Sequence, residues 1–125
     1  MPTTVKQLVA DANAVVPRIG AADAKALHAE GRAVFIDLRE PPEVAASGKV
    51  PGALEIPRGL LEFRADPENP ERNAAFQKPV VVTYCASGGR AALAGKLLKD
   101  LGYTDVRNLG GFKDWVEAGG EVEKS

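Results

Sequence analysis

The 125-residue sequence has one cysteine, one histidine, one tryptophan and only 6% aromatic residues. One cysteine excludes an intrachain disulfide and any Cys-x-x-Cys metal or redox site. A single unpaired thiol fits a reducing compartment. One histidine, with no Cys, Asp or His at ligand spacing beside it, gives no basis for a metal centre. The formal net charge is −1, so neither nucleic acid nor an anionic membrane surface is an expected partner. No apolar run is long enough to span a bilayer, and Lys6 and Asp11 interrupt the N-terminal stretch where a secretory signal would need its apolar core. A cytoplasmic location is therefore the default expectation. At this length the chain is one domain able to bury its own core.

What the sequence does have is concentrated between residues 80 and 101. Val80-Val81-Val82-Thr83-Tyr84 is an unbroken β-branched and aromatic run, the pattern of a strand buried on both faces. It ends at Cys85, the lone cysteine. Ala86, Ser87, Gly88 and Gly89 form a small, glycine-rich loop, and Arg90 opens a helical pattern in which Leu93, Ala94, Leu97 and Leu101 share a face. Gly102 supplies the stop.

A cysteine at the carboxyl end of a central strand sits where open α/β sheets place their ligands. Successive backbone N–H groups of the loop can turn inward as an anion-binding nest. The following helix aims its positive end at the same point, and Arg90 adds a fixed charge. All three favour a thiolate over a thiol, and a thiolate among donors is a nucleophile. The ordinary role of a lone cysteine is that of a small buried hydrophobe. The strand-end position, ahead of a Gly-Gly-Arg loop and a helix, points instead to catalysis by Cys85 with Arg90. Ala86, Ser87, Gly88 and Gly89 would line the substrate.

The rest of the chain alternates strand and helix. Residues 3–16 read as an amphipathic helix capped by Thr3 or Thr4, with Val5, Leu8, Val9, Ala12 and Val16 on one face and Pro17 as its stop. We expect residues 1–17 to be a helical extension packed on a domain formed by residues 18–125. Ile19 is a candidate for a very short first strand, and residues 21–30 form a helix closed by Gly31. His28, near its end, reads as a surface residue. Ala33-Val34-Phe35-Ile36 is the second strand and runs into Asp37-Leu38-Arg39-Glu40. If the strands are parallel, Asp37 and Arg39 lie at the same edge as Cys85 and border the site, or else they pair with each other and orient loops.

Pro41 starts a short helix ending near Gly48, and Ala53 to Ile56 is a short third strand. Six of the nine prolines fall between residues 41 and 70, so this part is loop-rich. Leu60, Leu61 and Phe63 suggest a helical turn, and Glu71 to Phe76 another short helix. Asp105 to Leu109 is the last strand. Gly110-Gly111 turns the chain, and Phe112, Trp115 and Val116 begin a final helix that stops at Gly119-Gly120. Phe112 and Trp115 either wall the pocket or belong to the core, the core being the ordinary place for Trp115. The fold class is thus α/β: a small open parallel sheet of about five strands with helices on both faces.

Three stretches carry a resemblance. Asp37-Leu38-Arg39-Glu40-Pro41 resembles an Asp-x-Arg-Glu segment, Gly48-Lys49-Val50-Pro51-Gly52-Ala53 a Gly-His-Ile-Pro-Gly-Ala turn, and Cys85-Ala86-Ser87-Gly88-Gly89-Arg90 an active-site loop, all of the single-domain rhodaneses. The closing pattern from Leu101-Gly102-Tyr103 through Leu109-Gly110-Gly111-Phe112 to Trp115 is similar too. The match runs over roughly residues 18–120, departing at Lys49, where many members carry histidine.

The resemblance implies a sulfurtransferase. Cys85 would take a sulfane sulfur from thiosulfate or a similar anionic donor as a persulfide and pass it to a thiol or cyanide acceptor, a protein thiol among the candidates. It needs no metal or organic cofactor. It also implies that the six residues from Cys85 through Arg90 hold a single sulfur, whereas phosphatases and arsenate reductases of this fold have a loop one residue longer. Tyr84 also differs from the histidine that often precedes a phosphatase nucleophile. Two alternatives stand beside it: a cysteine phosphatase or arsenate reductase, and a non-enzymatic module that carries sulfur or binds a partner.

Overall fold

The computed structural model describes residues 2–124. Four strands form its sheet: β1 (Ala33–Asp37), β2 (Leu54–Glu55), β3 (Val80–Cys85) and β4 (Val106–Gly111). They lie in the order β2-β1-β3-β4, every pair parallel. The apolar runs that mark β1 and β3 in the sequence are the two central strands, and every residue of both is buried. The strand expected at Ile19 shrinks to one bridge, Arg18 to Asn108, on the outer edge of β4. Pro17 has no N–H to extend the ladder backwards, and Gly20 already caps the next helix.

Alternation along the strands sorts two cores. Val34, Ile36, Val81 and Cys85 face a layer that includes Leu61, Ala65, Ala91, Ala94 and Leu98. That layer comes from α4 (Leu61–Ala65) and α5 (Gly89–Asp100). Ala33, Phe35, Val80, Val82 and Tyr84 face Ala24, Leu27, Phe112 and Trp115, from α2 (Ala21–Ala29) and α6 (Phe112–Glu117). Each fully buried Ile or Leu in these layers stabilises the fold by about 1.5–3 kcal/mol.

The N-terminal helix, α1 (Val5–Val15), is capped by Thr4, whose hydroxyl accepts the Gln7 N–H at 3.1 Å. It lies against α5 through Ala12 and the following Val16, both buried, while Val5 and Leu8 are exposed. Gly95 is what permits the approach: a Cβ there would stand 2.9 Å from a Val16 methyl.

The proline-rich stretch carries α3 (Pro41–Ser47), a 3₁₀ turn at Arg58–Leu60, then α4, then a second 3₁₀ turn at Ala74–Gln77. The helix expected over 71–76 is displaced because Asn73 caps the turn, its side chain taking the Ala75 N–H at 2.8 Å. His28 is half-buried rather than on the surface. Its ring meets Phe35 and Trp115 edge-on, with Nε2 2.7 Å from the Pro51 carbonyl oxygen. Lys49 is structural as well, joining the Ala53 carbonyl, Glu55 and Glu123. Trp115 is core, with its indole N–H donated to Glu121 O at 2.7 Å.

Candidate active site

Parallel strands bring their carboxyl ends to one edge, where the site is assembled. Cys85, the last residue of β3, is paired with Gly111, the last of β4. Ala86 and Ser87 are exposed, Gly88 is buried, and Gly89 and Arg90 are half-buried in the first turn of α5. Gly88 has φ +105°, a left-handed conformation open to glycine at little cost. That twist turns its N–H back onto the Cys85 sulfur, at 3.0 Å. The sulfur therefore sits at the floor of the loop, in a residue only 1% exposed, with the positive end of a 12-residue helix starting four residues on. Thr83, one turn of the pleat below, anchors that helix by donating its hydroxyl to Ala91 O at 3.0 Å.

Arg90 does not swing free. Its guanidinium makes a two-pronged pair with Glu43 of α3, at 2.7 and 3.0 Å. The Arg90 hydrogen bonds hold the Glu43 carboxyl down at about 2. In return Glu43, and to a smaller extent the Cys85 sulfur, raise the Arg90 pKa above its ordinary value. Glu43 is itself fixed as half of a capping box at the start of α3, accepting the Glu40 N–H at 2.9 Å. Glu43 was not singled out from the sequence. The signal was there in Glu40-Pro-Pro-Glu43, but it reads as a helix start, and only the fold shows that the same carboxylate faces the loop.

Asp37 and Arg39 lie at this edge, bound to each other. Asp37 is fully buried and Arg39 5% exposed. Arg39 Nε and Nη2 reach the two carboxylate oxygens at 2.9 and 2.7 Å. The guanidinium then donates to Ser47 Oγ and Gly48 O and rests over the Phe112 ring, 4.6 Å from its centroid. Burial works against the Arg39 charge, but Asp37 outweighs it and the pKa is raised. Burial, with the Asp37 charge adding to it, raises the Tyr84 pKa too, so its hydroxyl stays neutral while accepting the Val50 N–H. Phe112 stacks on Tyr84 inside this cluster instead of walling an open pocket.

The back of the loop is closed by β4. Its register shifts between Thr83 and Tyr84, so that Tyr84 meets Gly110 and Cys85 meets Gly111. A Cβ on Gly111 would lie 2.6 Å from the Ala86 carbonyl oxygen. Both glycines belong to the strand, one residue pair further than the turn expected there. Among the described residues, no group of three or more His, Cys, Asp or Glu side chains gathers to hold a metal, and no helix is long and apolar enough to cross a membrane.

Fold and site together define a class: a parallel α/β domain, covered on both faces and built around one strand-end cysteine under a helix N-terminus. The family model for the rhodanese-like domain matches residues 20–118. The chain is 36% identical over 109 residues to the human thiosulfate:glutathione sulfurtransferase, covering 81% of this chain and 94% of that one. It is 35% identical over 80 residues to the Escherichia coli thiosulfate sulfurtransferase PspE, 64% of this chain and 71% of that one. Among solved structures, a Rhodopseudomonas palustris protein described as of unknown function, possibly a tyrosine phosphatase, matches with a TM-score of 0.85. It is 40% identical, covering 98% of this chain and 99% of that one. A human single-domain sulfurtransferase matches with a TM-score of 0.67 at 38% identity, over 82% of this chain and 96% of that one. The chain belongs to the rhodanese-like domain family and is a rhodanese-type sulfurtransferase.

Proposed function

We propose that the protein moves a sulfane sulfur from thiosulfate or a similar small anionic donor to a thiol or cyanide acceptor, through a persulfide on Cys85. The observation that carries this reading is the Gly88 N–H held 3.0 Å from the Cys85 sulfur at the floor of a six-residue loop. A hydrogen bond to the charged form favours the thiolate. The thiolate attacks the outer sulfur of thiosulfate, a new S–S bond forms as the S–SO₃ bond breaks, and sulfite leaves with that bond's electron pair. The enzyme retains Cys85–S–S⁻, and its net charge has not changed. An acceptor thiolate then attacks the terminal sulfur, leaves as its own persulfide and restores the Cys85 thiolate. Backbone N–H groups of Ala86 to Arg90 and the α5 dipole stabilise the sulfur anion at each stage. Arg90, fixed by Glu43, supplies positive potential at the mouth for the incoming dianion.

Asp37 and Arg39 enter this reading as the frame of the turn at 48–52, since both spend their hydrogen bonds inside the protein. The reading includes no cofactor. A free thiol that must cycle through its anion suits a reducing compartment, and we place the protein in the cytoplasm.

The test is steady-state formation of thiocyanate from thiosulfate and cyanide. Parallel double-reciprocal lines, the mark of a ping-pong scheme, and no activity in Cys85→Ser are expected. Intersecting lines, or turnover by the serine variant, would defeat the covalent scheme. The description of the R. palustris structure gives a second reading, a cysteine phosphatase. The six-residue loop and the sulfur pinned against Gly88 disfavour it, because a tetrahedral phosphate needs a wider ring of donors. Hydrolysis of an aryl phosphate lost in Cys85→Ser would revive it.

A further inference from the structure

Asn108 is a polar side chain on β4, 1% exposed. A buried carboxamide is costly unless both its ends find partners. Its Oδ1 accepts the Gly110 N–H at 2.7 Å, which fixes the orientation of the amide. The other end, Nδ2, then faces the Gly88 carbonyl oxygen at 3.4 Å, the same oxygen that takes the first α5 hydrogen bond from Ala92 N at 2.9 Å. Gly88 is thus gripped at both ends: its carbonyl is held toward Asn108 and α5, and its N–H is held on the Cys85 sulfur.

The Asn108 backbone is pinned in turn by the segment that enters the domain. Its N–H donates to Pro17 O at 2.9 Å, and its carbonyl takes Ile19 N and Arg18 Nε, both at 3.1 Å. Arg18 Nη2 also reaches Leu109 O at 3.3 Å. Gly110 and Gly111 press on the loop from the same side, against Gly88 and Ala86. Shaping the end of β4 requires only an acceptor for the Gly110 N–H. The donor end of Asn108, aimed at the loop, is what that role leaves unused.

We propose that Asn108 is a positioning residue for the sulfur-binding loop. Through the Gly88 carbonyl it fixes the twist of Gly88 and so keeps the Gly88 N–H on the sulfur of Cys85, in the thiolate and in the persulfide. The consequence for turnover rests on the sulfurtransferase reading; the consequence for the thiol does not.

Two substitutions separate the two ends of the amide. Asn108→Asp keeps the acceptor for Gly110 and sets an oxygen against the Gly88 carbonyl. Asn108→Ala removes both ends and adds no charge. Cys85 is the only cysteine, so the pH profile of iodoacetamide alkylation reports this sulfur alone. Arg90, paired with Glu43, acts on this sulfur from the front, and Arg18 and Asp114 lie against Gly110 behind the loop.

In both variants the alkylation profile is expected to move upward in pH, since a lost donor disfavours the thiolate. The kcat for thiosulfate is expected to fall about tenfold with KM within about twofold, the pattern of an interaction felt at the reacting sulfur. Arg18→Lys should leave the profile nearer wild type than Arg18→Ala. An Ala variant that melts as a folded protein, alkylates as wild type does and turns over normally would overturn the proposal. So would activity that falls only with the folded fraction while the profile stays put, or failure of both variants to fold, which would make Asn108 a core residue only. If the wild type transfers no sulfur, the sulfurtransferase reading falls, and the alkylation profiles still decide the role of Asn108.

Discussion

Two arginines at the same sheet edge are each clamped by a carboxylate, and the comparison between them separates scaffold from chemistry. Arg39 follows β1, is 5% exposed, and spends its donors on Asp37, Ser47 and Gly48. Arg90 follows β3, is about a third exposed, and spends two donors on Glu43 while facing the mouth of the cysteine loop. The pairing chemistry is alike and the surroundings are not. A buried pair has no water to fall back on, so each partner depends on the other. A half-exposed pair contributes little to stability but fixes where a positive charge stands, which matters when an anion must approach.

Breaking the first pair should produce the largest effect. Asp37→Ala leaves a buried guanidinium without its partner and is expected to cost about 3–5 kcal/mol of stability, read as the denaturant midpoint, with sulfur transfer by the remaining folded protein close to wild type. Breaking the second pair should reverse the pattern. Arg90→Gln is expected to lower kcat/KM for thiosulfate about 10²-fold, with a thermal midpoint within a few degrees of wild type. If Asp37→Ala abolished chemistry in folded protein, or Arg90→Gln unfolded it, the division would fail.

The smallest effect is on pH. The Glu43 carboxyl is held at about 2 against an ordinary value of 4.5. A depressed carboxyl contributes stability that is complete above its unfolded value and lost as pH falls through its folded one. The Arg90 clamp should therefore be constant above about pH 5 and weaken between 4.5 and 2. The part of the acid slope of stability that Glu43→Gln abolishes should be below about 1 kcal/mol, as for other half-exposed pairs. Denaturation midpoints of the two proteins across this range check it.

What could be read from the sequence divides along the same line. The strands β1 and β3, the loop from Cys85 to Arg90 and the helix stop at Gly48 were legible because each is local: an apolar run, a glycine pair, a glycine at φ +79°. The mutual pairing of Asp37 and Arg39 is legible from their place at the end of a buried strand, where structural ion pairs are common. Glu43 and Asn108 were not singled out, because their partners lie 47 and 20 residues away and their local roles, a helix cap and a strand residue, account for them. The fifth strand reduced to one bridge for a similar reason: the pattern near Ile19 is too short to show what Pro17 and Gly20 leave of it.

A sulfur carried on Cys85 is visible in the intact mass of the protein. After incubation with thiosulfate, the wild type should gain the mass of one sulfur atom, lose it again on addition of cyanide, and show no gain when Cys85 is replaced by serine. A wild type that gains no sulfur from thiosulfate or any other sulfane donor, or a serine variant that gains it equally, would rule out a Cys85 persulfide.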